Sequence, residues 1–369
     1  MTTLQPIPKI DTYERFQAEE GIPVVTGFFV EDMETMEVKP WARMGGLGTY
    51  INLDGTGGTN DCYVCEIPPG KALNPERHMY EEMIYVVKGR GATQVGNDEG
   101  ARHSFEWQEG SVFSVPLNTW HQHFNGSGTD PARFAAVTNA PLVMNLFHNL
   151  DFVFNNPFTF ADRVGDPRWF QGEGHKWRGD AGGAYIWETN LIPDIRSFPL
   201  GKLDNRGAGG SNVLFELAYN TMTAHCSEFP VGRYKKAHRH GPGAHVMIIS
   251  GEGFSLLWPN GSDIDSIQRV DWRPGSLLVP PSDWFHQHFN TGATPARYLA
   301  LRWGSRRYPL SMGAGGDDNT STSQREGGLQ IEYEDEAPQI HRMYEEDLQE
   351  QGAPCRMRMF VGGCTGVDD

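Results

Sequence analysis

The chain predicts an all-β protein made of two copies of one unit, each a sandwich or a barrel. Three observations carry this. The pentapeptide HQHFN stands at residues 121–125 and again at 286–290. The runs around it are short, apolar and broken by turn residues, in a chain of 369 residues with 44 glycines and 24 prolines. Clear helix signals stand at the two ends, in IDTYERFQAEE (10–20) and QIHRMYEEDLQEQG (339–352).

The repeat extends well past the pentapeptide. EGSVFSVPLNTWHQHFNGSGTDPARFAAVTN (109–139) matches PGSLLVPPSDWFHQHFNTGATPARYLALRW (274–303) in its Gly, apolar run, Pro, aromatic, His-Gln-His-Phe-Asn, turn and Pro-Ala-Arg strand. Upstream, NPERHMYEEMIYVVKGRGATQV (74–95) matches KKAHRHGPGAHVMIISGEGFSLL (235–257): histidines, an apolar strand, then Gly-x-Gly. This divides the chain into an arm (1–45), a first unit (46–150), a connector (151–205), a second unit (206–310) and a tail (311–369). The connector is aromatic-rich with weak periodicity, so it is expected to pack against both units. Residues 312–336 are polar and acidic and are expected to form a mobile surface loop.

Composition bounds the function. With 38% hydrophobic and 21% charged residues a core is expected, not disorder. A formal charge of -16 argues against nucleic acid or an anionic membrane as partner. No apolar run reaches the roughly 20 residues of a membrane span, and the start shows no secretory h-region, so a cytoplasmic protein is expected. Five scattered cysteines (62, 65, 226, 355 and 364) do not form a disulfide framework. Cys62 and Cys65 lie in the strand-like DCYVCEI and read as core residues on opposite faces.

The histidines carry the chemistry. His238 and His240 are two residues apart, so on a strand they point to the same side. His286 returns a third imidazole from the second motif. Imidazole is a common ligand of iron, copper, zinc and nickel. Three neutral donors leave the ion's double positive charge intact and open positions for an anionic, chelating substrate.

These spacings resemble the two signature motifs of the cupin superfamily. Gly275, Pro281, His286 and Asn290 fit the second motif, and His238, His240 and Gly251 the first. In the other copy, Glu76, His78, Glu82 and Gly89 fit the first, and Gly110, Pro116, His121 and Asn125 the second. The resemblance covers most of residues 50–305 and implies two tandem cupin barrels (jelly rolls, or double-stranded β-helices) with short terminal helices. It implies metal ligands His238, His240 and His286 in the C-terminal barrel, with Ala244 where the family places Glu. It implies a second set, Glu76, His78, Glu82 and His121, in the N-terminal barrel. His245 and Arg239 are expected to face away from the metal.

The run HRH, then a small residue, then WFHQHFN resembles the gentisate, salicylate and 1-hydroxy-2-naphthoate 1,2-dioxygenases. That resemblance implies an iron(II) enzyme cleaving the ring of a small hydroxylated aromatic acid with O2. Most of that family keeps the full histidine trio in the N-terminal barrel, whereas here it is C-terminal. His288 would be an acid–base group or a support for a ligand, Arg302 a fork for the substrate carboxylate, and Trp284 a wall of the site. The alternative is a manganese(II) bicupin lyase or hydrolase, like oxalate decarboxylase or ureidoglycine aminohydrolase, which ERHMYEE (76–82) resembles. A non-catalytic storage bicupin is the third reading. By analogy with bicupins, a homo-oligomer held by the terminal arms is expected.

Overall fold

The computed structural model describes residues 7–96, 102–179, 184–262, 266–310 and 319–367. Among these the chain forms two jelly-roll barrels, each a large sheet facing a three-stranded one. The fold is all-β with few short helices, as the repeat predicts.

Strand Glu82–Lys88 shows why the sheets form where they do. Ile84 and Val86 point into the first barrel, while Met83, Tyr85 and Val87 point the other way. Both faces are apolar because the second barrel covers the outer face. Its counterpart His245–Ser250 behaves alike, with Val246 and Ile248 inward and Met247 outward. The outward faces of the two large sheets join in one hydrophobic layer that includes Val64, Met83, Val137, Phe215, Met247 and Leu301. Cys62 lies in this layer and Cys65 inside the first barrel, on opposite faces of one strand.

Gly89 and Gly251 open the Gly-x-Gly turns at φ +83° and +82°. A Cβ there would lie 2.9 Å from the Cα of Ala132 and 2.6 Å from the Cα of Ala296, closer than side chains tolerate.

The arm and connector are more tightly woven than their sequence suggests. Val24–Gly27 runs parallel to Gly46–Leu53, and Phe29–Val30 then crosses to pair with Leu277–Leu278 of the other barrel. The connector does the same in reverse. Tyr185–Thr189 runs parallel to Ser211–Leu217, and Leu191–Ile192 crosses to Val112–Val115. Arm and connector therefore each pair with one barrel and lend a short strand to the other.

The expected terminal helices are Thr12–Glu20, capped by the Asp11 side chain, and Pro338–Gln351, ended by Gly352 at φ 68°. Two further helices, Ala140–Phe147 and Leu150–Phe154, were not legible: APLVMNLF reads equally as a buried strand. No helix among the described residues is long and apolar enough to cross a membrane.

The loop expectation for 312–336 needs correction. Residues 311–318 lie outside the described residues, but 319–336 winds through three short 3-10 turns over the second barrel. Gln330 and Tyr333 are buried there. Tyr333 accepts from the Ala208 amide, donates to the Tyr234 carbonyl and packs edge-on against the Tyr234 ring, so this buried anchor outweighs the polar composition.

Candidate metal centres

The repeated HQHFN has a physical reading, residue by residue. Its strand pairs antiparallel with the one after Gly-x-Gly, Trp120–Asn125 with Arg90–Gly96 and Phe285–Asn290 with Gly253–Trp258. The first histidine exchanges two backbone hydrogen bonds with the upstream motif. His121 does so with Glu76 (2.9 and 3.0 Å), and His286 with His238 (2.9 and 3.1 Å). The glutamine holds the same upstream segment, Gln122 on the Leu73 carbonyl and Gln287 on the Lys235 carbonyl. The asparagine ties the turn, Asn125 on the Asp130 carbonyl and Asn290 on the Thr294 carbonyl. The second histidine rests on a hydroxyl that also accepts from a tryptophan: His123 on Thr93 and Trp107, His288 on Ser255 and Trp272.

In the C-terminal barrel the structure brings His238, His240 and His286 together, with one ring nitrogen of each within 4.8 Å of the others. The Nδ1 of His240 lies 2.7 Å from the Gly241 carbonyl, and that of His286 3.4 Å from the Trp284 carbonyl. A backbone carbonyl fixes the proton on Nδ1 and turns the Nε2 lone pair toward the cluster. The Nδ1 of His238 is buried without a hydrogen-bond partner. Burial, then the nearby Arg206 charge, holds His238 neutral far below the usual histidine range, and burial does the same for His286. Three neutral nitrogen donors suit a divalent transition metal.

A cavity of about 100 Å³ opens beside this trio. Arg206, His225, Lys235, His288, Tyr298, Arg302 and Arg306 line it, and no carboxylate does among the described residues. Lys235 Nζ donates to Tyr298 Oη at 3.0 Å. Burial raises the Tyr298 pKa, but the Lys235 charge and this bond outweigh it, and the phenol ends below its ordinary value. Arg302 Nε donates to His225 Nδ1 at 3.1 Å, so Nε2 of His225 carries that ring's proton. Burial and the Lys235 charge push His288 down to about 3.

His288 and Arg302 thus line the cavity. Trp284 does not; it packs on Phe28, with ring centroids 6.1 Å apart. Arg239 lies away from the cavity, over Phe285. His245 points away from the metal, as expected, yet not toward solvent. It is buried where the barrels meet, beside Leu301, with Nδ1 on the Gly243 carbonyl that Asn60 also reaches.

In the N-terminal barrel His78, Glu82 and His121 converge, again within 4.8 Å. Their carbonyl supports are Tyr80 for His78 and Thr119 for His121. His78 Nε2, Glu82 Oε2 and His121 Nε2 are all buried without hydrogen-bond partners, facing one another at 3.8–3.9 Å. Buried polar atoms are rarely left so, and the geometry fits a cation between them. Burial alone would raise the Glu82 pKa, but His78 and His121 bring it down to about 2. Glu76 sits at the rim, 3.8 Å from His121 Nε2, with its other oxygen held by Arg43.

Reading the motifs alone missed Lys235, His225 and Tyr298. The signal was in the repeat: by backbone register they replace Leu73, Tyr63 and Phe134 of the first barrel. Polar residues at inward positions where the sister copy is apolar or aromatic mark a cavity.

Residues 63–138 match the family model described as Cupin domain. No curated protein sequence matches the chain. Among solved structures, a single-site tryptophan-to-tyrosine variant of the oxalate decarboxylase of Bacillus subtilis is similar at 13% identity, over 76% of this chain and 78% of that one, with a TM-score of 0.47. An oxalate decarboxylase–formate complex from Lactobacillus farciminis gives 12%, 78%, 87% and 0.49. Vicilin from hazelnut, Corylus avellana, gives 12%, 75%, 85% and 0.47.

Proposed function

Taking the chain as two tandem cupin barrels, we propose a metal-dependent enzyme that works on a small carboxylate in the C-terminal barrel. The observation that supports this most is the cavity itself. Three metal-ligating histidines share one small space with Lys235 and three arginines. Bound there, a divalent ion would supply Lewis acidity, open positions for substrate oxygens and, as iron(II), a place for O2.

The chain's own residues do the rest. The cationic wall draws in the anion, and Arg302, held by His225 and the Trp303 carbonyl, adds its charge there. Tyr298, with its pKa lowered by Lys235, donates or takes a proton at Oη. His288, neutral and fixed by Ser255, stands beside His286 with ring centroids 5.6 Å apart, in reach of the same space. The cavity is small, about 100 Å³, which favours a small acid.

For the reaction we favour iron(II)-dependent oxygenation of a hydroxylated aromatic acid, because an all-imidazole centre keeps its positive charge for a chelating hydroxy-carboxylate. One observation supports the manganese reading instead. The His78–Glu82–His121 cluster contains a carboxylate, which suits manganese better than three imidazoles do. Oxygen uptake by anaerobically metal-loaded protein, against salicylate, gentisate, hydroxynaphthoates and oxalate, decides. Uptake that requires iron and is lost in His240→Ala is expected. Carboxylate turnover without uptake moves the assignment to the lyase class, and no turnover with metal bound overturns the proposal.

A further inference from the structure

A third cluster lies outside both barrels. Helix Pro338–Gln351 carries His341 and Glu345, one turn apart. The tail beyond it folds back and sets Cys355 and Cys364 against them. One donor atom from each of the four lies within 4.8 Å of the others.

The individual spacings are those of a coordination sphere. Cys355 Sγ is 3.5 Å from Cys364 Sγ, Cys364 Sγ is 3.6 Å from Glu345 Oε1, and His341 Nε2 is 3.4 Å from Glu345 Oε1. An ion bound tetrahedrally, at about 2.3 Å from sulfur and about 2.0–2.1 Å from nitrogen or oxygen, places its donors roughly 3.4–3.8 Å apart. A disulfide would bring the sulfurs to about 2.05 Å.

A second observation points to a ligand. His341 is 7% exposed, and its Nε2 is buried without a hydrogen-bond partner. Its Nδ1 lies 3.2 Å from Tyr234 Oη, which donates its own hydrogen to Glu336 at 2.7 Å. Tyr234 can therefore only accept from the imidazole. The proton sits on Nδ1, and the Nε2 lone pair faces the cysteines. Two backbone amides reach the sulfurs: the Gly366 amide donates to Cys364 Sγ at 3.4 Å, and the Met357 amide bonds Cys355.

We propose that His341, Glu345, Cys355 and Cys364 hold a structural divalent ion of the zinc class. Two thiolates, an imidazole and a carboxylate favour zinc over manganese or magnesium. Each thiol gives its proton to solvent as the ion binds. The ion closes a tail that has no helix or strand of its own between residues 353 and 367. It also steadies the active barrel, because Glu336 on the same relay accepts from Gln287, between His286 and His288.

Cobalt(II) titration of the full-length, metal-depleted protein tests this without reference to activity. Neither barrel cluster contains sulfur. Thiolate-to-cobalt charge transfer in the near ultraviolet therefore reports the tail site. Expected is one equivalent of cobalt giving this band, zinc displacing it, and Cys364→Ser abolishing it while cobalt still binds the barrels. Zinc should also slow proteolysis between residues 353 and 367, and His341→Gln should weaken that protection. The proposal is overturned if wild-type protein with both thiols free shows no such band. It is equally overturned if peptide mapping finds Cys355 and Cys364 joined with loss of two hydrogens.

Discussion

The two barrels share one frame and fill it differently. Both use HQHFN to lock a strand, hold a histidine and tie a turn. In the first, Leu73, Tyr63 and Phe134 close the interior over a cluster whose members are 1–3% exposed. In the second, Lys235, His225 and Tyr298 occupy the same positions and line an open, cationic space. The first has a buried carboxylate, Glu82, where the second has Ala244. A repeat can thus keep its ligand geometry while one copy closes its interior and the other opens it; three or four inward positions make the difference.

The largest test is to remove one ligand from each copy. His240→Ala should empty the C-terminal centre and lower turnover by more than about 100-fold, beyond the 10–100-fold typical of losing a ligand's hydrogen-bonded support. His78→Ala should leave turnover of folded protein nearly unchanged and lower the thermal midpoint. Metal content and steady-state kinetics on both variants check this, and the reverse pattern would swap the roles of the barrels.

Next comes the wall. Lys235→Met should raise KM for the carboxylate at least tenfold, since a hydrogen bond to a charged group is worth about 1.5–3 kcal/mol. It should also shift the pH profile upward, because Tyr298 loses the cation that lowers its pKa. An unchanged KM would place the substrate elsewhere.

Chelation should separate the sites in time. The C-terminal centre faces a cavity and should lose metal first; the N-terminal one, closed by Tyr63 and Tyr80, should lose it slowly. Loss of manganese(II), which the tail's thiols disfavour, gives the two barrel phases against a chelator, and the slow one should vanish in His78→Ala.

The narrowest effect, confined to acid pH, concerns His245, whose counterpart in the first barrel is Met83. Burial lowers the His245 pKa to about 4, against about 6.5 in the unfolded chain. Between these values the unfolded state binds more protons. This contribution is therefore complete above about pH 6.5 and is lost on acidification, at about 1.4 kcal/mol per pH unit. Urea midpoints of metal-free protein should fall over that range, and less steeply in His245→Met.

Much of this was legible in the chain. The duplicated HQHFN and Gly-x-Gly pointed to two β units, because strand pairing, turn and ligand presentation depend on a few local residues. Spacing of two on a strand placed His238 and His240 on one side. Trp284 was misread as a wall because its neighbour in space, Phe28, lies far away in sequence. The acidic stretch before residue 336 was misread because two buried residues, Gln330 and Tyr333, outweigh its composition.

Fold class, duplication and the set of histidines able to meet were all written in the order of residues, since these follow from periodicity and local backbone chemistry. Folding in three dimensions decided which copy is hollow, how arm and connector exchange strands, and that His341, Glu345, Cys355 and Cys364 converge. Those depend on side chains brought together from distant segments, and no local pattern records that packing.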